Sequence, residues 1–420
     1  MFDIMILQHL RSILEYLLML MVILDFNTPY TYFPVIGKMV ALSIITLSMF
    51  LILLNWKNLS IDIFAFVLLI TIGAIFPFFN VYEGKAISYI KLYFVILPLL
   101  LMLTSSYMSE EREAVSHLFI KFSNIVGVIA VISLLFFFLG STFELIPCTA
   151  IIPNSWGGDR FIPTYFGIYF ETQEAMAASG MESMIRNSGI FNEAPMYNMI
   201  LCTALSIELF LRPRINIERI ILFTLTIITT ISTTGFIFMF VVYTIKGYNS
   251  FASKYRLQMI LLLPIFLLAS FLVMNSILEN KKETGEGSYS SRSRDIVKCI
   301  EVGLEHPISG VGVFFKSEEN SSDSRSFGYS NSLFGVFAHG GFYLLTLYAL
   351  SLLIIPIVSY FRDRNLSFLI FMLSYFLLFS FTVSQYKCLT IMLVAYGFSY
   401  WYNQLLGNRS LGVIIHGEVD

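Results

Sequence analysis

The sequence predicts an all-α polytopic membrane protein: a transmembrane helix bundle of about twelve helices with two long extracytoplasmic loops, the second partly helical. Three observations predict it. Of the 420 residues, 57% are hydrophobic and only 13% charged, too few polar side chains to cover a water-soluble globule of that size. Apolar runs of about 18 to 25 residues recur along the whole length, the span a helix needs to cross the hydrocarbon core. These runs are continuous, whereas the strands of a membrane β-barrel alternate apolar and polar positions.

The predicted helices cover approximately 12–27, 35–54, 60–79, 87–104, 117–140, 193–212, 218–232, 234–247, 257–278, 333–357, 366–385 and 387–405. Between the seventh and eighth, Ser232-Thr233-Thr234-Gly235 reads as a tight turn or as a break within one longer segment. With the two kept separate, three basic clusters fall on one side: Arg212, Arg214 and Arg219; Lys246, Lys254 and Arg256; Arg362 and Arg364. Together with Arg11 before helix one, Lys57 and Arg409, they place both termini in the cytoplasm, because short loops rich in Lys and Arg stay inside. Residues 1–420 then form a single membrane domain whose long polar loops, 141–192 and 279–332, both face outward. Their arginines, Arg160, Arg186, Arg292, Arg294 and Arg325, do not serve to set topology.

The formal net charge of −2 and the absence of a dense basic patch give no footprint for nucleic acid. The first apolar run lacks a clear small-residue cleavage site and is expected to remain as a helix. Four cysteines are too few for a disulfide scaffold. Cys202 and Cys388 fall in apolar segments as packing residues, and a bridge between Cys148 and Cys299 would require the two long loops to touch. No spacing of histidines or carboxylates resembles a metal site, and no cofactor is expected.

The second loop reads as a small folded cap. Ser290 or Ser291 can cap a helix start, Ile296, Ile300 and Leu304 recur as one docking face, and Pro307 stops the helix before a glycine turn, Gly310-Val311-Gly312. Arg292 and Arg294 then lie in the first turn, where a cation gains nothing from the helix dipole and suits an external anion. In the first loop, Arg186 to Pro195 leads into the sixth helix, with Pro195 in its first turn and Glu193 at the positive end. Ser330-Asn331-Ser332 closes the second loop, and Gly340 and Gly341 follow inside the tenth helix.

In order, these are R-x-x-G-x-F-x-E-x-P before a helix (Arg186, Gly189, Phe191, Glu193, Pro195), Ser291-Arg292, a helix, Pro307-x-x-Gly310-Val311-Gly312, and Ser330-Asn331-Ser332 with a downstream glycine. The combination resembles the O-antigen polymerase and ligase superfamily, over about a third of the chain in motif and all of it in helix layout. The resemblance implies glycosyl transfer between undecaprenyl-pyrophosphate-linked oligosaccharides at the outer face of the bacterial inner membrane. It further implies membrane lipid as surroundings and a chain-length regulator protein and a flippase as partners. In the ligases of that superfamily a histidine precedes the Asn of the third motif, whereas this chain has Ser330 there, which favours a polymerase. The alternatives are an O-antigen ligase and a lipid-linked oligosaccharide flippase.

The chemistry follows from the residues themselves. Cleavage of a sugar–pyrophosphate bond leaves negative charge on the diphosphate, and planar guanidinium forks hold such oxygens bidentately. Arg186 and Arg292 match the motif arginines and are the expected catalytic pair, with Arg294 a third cation. Glu193 is expected to position Arg186. Asn331, Lys38 and Lys91 complete the expected substrate-binding set, the lysines near the outward ends of helices two and four, where snorkelling to headgroups is the competing explanation. His306 suits a helix C-terminus, and His339 suits a polar contact between helices. Tyr165, Tyr169 and Trp156 fit either sugar stacking or loop packing.

Overall fold

The computed structural model describes residues 2–59, 61–75, 90–110, 114–154, 160–172, 174–175, 184–251, 286–312 and 331–416. The predicted ninth helix, Trp156, Arg325 and Ser330 lie outside them, as do the side chains of Arg160 and Arg292. With each π turn counted as part of the helix it continues, the described residues form twelve helices and five short strands. The helices are α1 (Phe2–Leu24), α2 (Pro34–Leu54), α3 (Ile61–Ile75), α4 (Ile90–Glu110), α5 (Ala114–Phe136 with a π turn, Phe137–Thr142) and α6 (Ala194–Leu211). Then come α7 (Ile217–Thr229), α8 (Thr233–Phe251), α9 (Glu286–Glu305), α10 (Ser332–Asp363), α11 (Leu366–Phe381) and α12 (Cys388–His416). Among the described residues six helices are long and apolar enough to cross a membrane, namely α1, α2, α4, α5, α6 and α10, with shorter apolar helices in α3, α8 and α11.

The chain folds as two compact units: Met1–Phe26, Val35–Phe122 and Asp295–Asp420 in the first, Asn27–Pro34 and Ser123–Arg294 in the second. In the first unit α4 packs on α12 through small polar residues. Ser399 meets the hydroxyls of Thr104 at 2.7 Å and Ser105 at 2.9 Å, and a Cβ on Gly397 would stand 2.3 Å from Ser351 Oγ. Small side chains let the backbones approach where apolar burial gives no drive. Buried Glu15 accepts from Arg11 at 3.0 Å and from Tyr107, and pairs with Lys121. Arg11 also grips Glu110 through two bonds of 2.9 and 2.7 Å. Arg11 therefore sits within α1, against the expectation that it precedes the first helix.

In the second unit α6 packs against α7 and α8, and a Cβ on Gly235 would fall 2.2 Å from Asn198 Oδ1. The turn at 230–232, with Ile231 at φ 48°, separates α7 from α8, so Ser232-Thr233-Thr234-Gly235 opens a new helix. At the far end of these helices Glu208, fully buried, lies 2.5 Å from Arg212 and 3.6 Å from Arg219 and accepts from Ser123 at 2.6 Å. Lys246 reaches the Leu209 carbonyl there too. Members of two of the predicted basic clusters thus share one end, but as partners of a buried carboxylate and a helix terminus.

The 141–192 segment carries strands that the sequence reading leaves as loop. β1 (Ala150–Asn154), β2 (Arg160–Tyr165) and β3 (Tyr169–Phe170) form an antiparallel sheet, and β4 (Glu174–Ala175) pairs with β5 (Met184–Ile185). Pro153 and Pro163, which lack the N–H a ladder uses, face Phe161 and Ile151 and disguise the strands. Tyr165 and Tyr169 are buried beside Phe136, so packing accounts for both rings.

In the second loop α9 begins at Glu286, ahead of the expected Ser290 or Ser291 cap, so Arg292 lies in its second turn and Arg294 in its third. Its docking face also differs. Cys299 and Gly303 are buried, and a Cβ on Gly303 would come 2.4 Å from the Phe337 ring, whereas Leu304 is 61% exposed. A glycine on the contact stripe brings the helix in closer than the Ile296–Ile300–Leu304 spacing suggests. All four cysteines are free thiols, with Cys148 exposed and Cys299 buried.

Candidate functional site

The Arg186 segment is held from beneath by its own polar side chains. Asn187, fully buried, sends its backbone N–H to the Thr229 carbonyl at 3.0 Å and its amide to Thr229 Oγ1 at 3.0 Å, and it accepts from the Gly189 N–H at 3.1 Å. Ser188 donates to the Phe170 carbonyl at 2.8 Å, tying the segment to β3. Gly189 has φ 56°, and a Cβ there would stand 2.9 Å from the Tyr197 ring. Arg186 itself, half-buried, donates from Nε to the Thr230 carbonyl at 2.9 Å, at the α7–α8 turn. Glu193 is the N-cap residue of α6, with Pro195 in the first turn as expected, and its carbonyl receives the Met196 and Tyr197 N–H groups.

Tyr30, between α1 and α2, donates to the Gly167 carbonyl and lies edge-on to Phe170 at 5.5 Å. Burial pushes its hydroxyl up to about 12. Burial, and then the bond to Glu171, push Tyr165 up to about 12 as well. Both phenols stay protonated donors at neutral pH.

In the first unit the Pro307–Gly312 turn and the glycine pair of α10 interlock through their backbones. Val311 N–H donates to the Ala338 carbonyl at 3.0 Å and Gly312 N–H to the His339 carbonyl at 2.9 Å. In return Phe342 N–H reaches Pro307 O at 2.7 Å and Tyr343 N–H reaches Ile308 O at 3.3 Å. Gly341, at φ 60° and ψ −162°, breaks α10 so that these groups are released to the turn. Gly310, at φ 64°, fits within 2.3 Å of the His339 carbonyl carbon as a Cβ would be built. His339 is buried, bonds Tyr386 through Nδ1 and stacks on that ring at 5.6 Å; Tyr386 lies in the α11–α12 connection, so this bond runs from a helix to a turn in place of the expected contact between helices.

The segment from Thr382 to Lys387 joins these parts. Ser332 bonds the Thr382 carbonyl, Gln385 at 3.0 Å and the Ser384 N–H at 2.7 Å. Asn331 caps α10 by accepting from the Phe334 N–H at 3.2 Å and donates to the Ser380 carbonyl. Tyr348 donates to the Gln385 carbonyl at 2.5 Å and meets the Tyr93 hydroxyl at 2.9 Å. Asp25 accepts from the Cys388 N–H at 2.9 Å. Sequence reasoning missed this hub by carrying the eleventh helix to 385 and opening the twelfth at 387. The signal was the polar run Thr382-Val383-Ser384-Gln385-Tyr386-Lys387 inside an apolar stretch.

The remaining expected site residues fall as follows. Lys38 is exposed near the start of α2 among exposed Val35, Ile36 and Met39, and Lys91 is exposed at the start of α4. Arg294 is exposed on α9. By the helical period, position 292 shares a stripe with Ile296, Cys299 and Gly303, while position 294 shares one with exposed Lys298 and Glu301. Compared with protein-family models, curated proteins and solved structures, the chain matches none.

Proposed function

We propose that the chain is a membrane glycosyltransferase that polymerises undecaprenyl-pyrophosphate-linked oligosaccharide repeat units into O-antigen or a related surface polysaccharide. It works on the outer face of the inner membrane, with both termini cytoplasmic. Arg186 and Arg292 hold the departing diphosphate, and electrostatic stabilisation of that charge in a water-poor site supplies roughly 3 to 4 kcal/mol per well-placed donor. The observation that carries this reading is the interlock of Pro307–Gly312 with Gly340–Gly341, because two motif elements about thirty residues apart in the chain meet atom to atom. Two further features support it. Arg186 donates from Nε to the Thr230 carbonyl, which fixes its guanidinium at the α7–α8 turn, and position 292 lies on the stripe of α9 that carries buried Cys299 and Gly303.

In cells, Arg186→Ala and Arg292→Ala are expected to leave the protein inserted and abundant while the surface glycolipid carries a single repeat unit. Arg292→Lys fails likewise, since an ammonium lacks the bidentate fork. Long chains of normal distribution from both alanine variants would overturn the assignment.

A further inference from the structure

Among the described residues, the end of the first unit that carries Thr382–Lys387 holds two lysines and one carboxylate, Lys387, Lys91 and Asp25. Lys387 closes the α11–α12 connection and is half-buried, its backbone fixed by Lys387 N–H to Ser384 O at 3.0 Å and Ile391 N–H to Lys387 O at 3.1 Å. The chain of Tyr93, Tyr348 and Gln385 O ties the start of α4, where Lys91 stands, to the same connection. Asp25 is the carboxylate of this group, and one of its oxygens is engaged by the Cys388 N–H. Among the described residues no hydrogen bond or ion pair holds the ammonium of Lys387 or of Lys91.

We infer that Lys387 and Lys91 together bind a phosphate group of a lipid-linked substrate, with Asp25 positioning the Lys387 backbone through Cys388. The inference rests on the polymerase reading and concerns residues of the first unit alone. Two ammonium groups and one carboxylate leave a formal excess of one positive charge, and the N-terminus of α12 adds its own positive end. A phosphate oxygen can satisfy both lysines as point charges without the planar geometry a guanidinium demands. Burial lowers the pKa of Lys387 most; Asp25 and then Cys388 raise it, and Lys91 lowers it, leaving it below the ordinary lysine value. An anion between the lysines offsets their mutual repulsion.

The test is binding without turnover. Full-length protein in nanodiscs of neutral lipid is titrated with undecaprenyl pyrophosphate and read by native mass spectrometry. Lys387→Met and the exposed Lys91→Met are each expected to weaken binding at least about tenfold, and Lys387→Arg to hold it within about threefold. Undecaprenol, which lacks phosphate, distinguishes neither Met variant from the parent. Displacement by phosphatidylglycerol identifies the source as lipid phosphate in general, and displacement only by the pyrophosphate carrier identifies the substrate; both keep the phosphate site. Unchanged carrier binding in both Met variants overturns it. Because no sugar is transferred in this measurement, such a failure leaves the Arg186 and Arg292 experiment untouched, and inactive-site results there leave this one readable.

Discussion

Gly341 of α10 and Ile308 of the preceding turn approach so closely that a Cβ on the glycine would stand 2.5 Å from the Ile308 carbonyl carbon. The helix break at Gly341 and the positive φ at Gly310 are therefore one device, since each permits the backbone exchange the other needs. Gly341→Ala is expected to cost about 2 to 4 kcal/mol, from a left-handed residue plus a displaced backbone. Ile308→Ala, at a side chain 65% exposed, is expected to cost less than about 0.5 kcal/mol. Unfolding in mixed detergent micelles measures both, and equal stabilities would refute the interlock.

Asn187, fully buried, makes two hydrogen bonds to Thr229 and one to Gly189. Asn187→Ala is expected to destabilise the second unit by about 2 kcal/mol, because Thr229 and Gly189 lose their partners. Chain lengthening should fall as well, since the same segment aims Arg186. Full stability with normal products would separate the segment from the site.

Glu208 sits between Arg212 and Arg219 with no exposure of its own. Glu208→Gln keeps the shape and the Ser123 contact but leaves two cations without their counter-charge. A loss of about 2 to 3 kcal/mol is expected, discounted because both arginines keep some solvent. The same unfolding measurement checks it, and an unchanged midpoint would show that the pair contributes nothing.

Much of this was legible in the chain and some was not, for physical reasons. Apolar runs of membrane-spanning length and the Glu193–Pro195 start of α6 follow from composition and capping rules, and the structure places helices there. The strands around Pro153 and Pro163 were hidden because proline argues against a ladder, yet β1 and β2 tolerate it. Lys387 and Asp25 were missed because each stands at the end of an apolar run, where hydropathy averages a single polar residue away. Glu15 and Glu208 were passed over for the same reason, and charge was expected only in the loops.

The helical period separates the two arginines of α9. Arg294→Ala, on the exposed stripe, is expected to reduce chain length modestly, within about threefold, whereas Arg292→Ala abolishes lengthening. Surface glycolipid ladders from the two variants check this. The reverse order would move the site to the exposed face of the helix.

Lys387 gives the phosphate site a pH signature. Its ammonium loses its proton below the ordinary 10.5 of a lysine, because burial, with a small addition from Lys91, outweighs Asp25 and Cys388. Charge is present at lower pH and lost as pH rises, so carrier binding should weaken on the alkaline side, while Lys387→Arg stays charged and holds its affinity. Titrations of binding against pH compare the two, and coincident profiles would remove Lys387 from the site.

The most direct measurement is polymerisation by the purified protein in proteoliposomes supplied only with undecaprenyl-pyrophosphate-linked repeat units. The account predicts a ladder of products at successive multiples of the repeat, stopping at one unit with Arg186→Ala or Arg292→Ala. A ladder undiminished in both variants, or a parent protein that leaves every repeat unit unjoined, would contradict it.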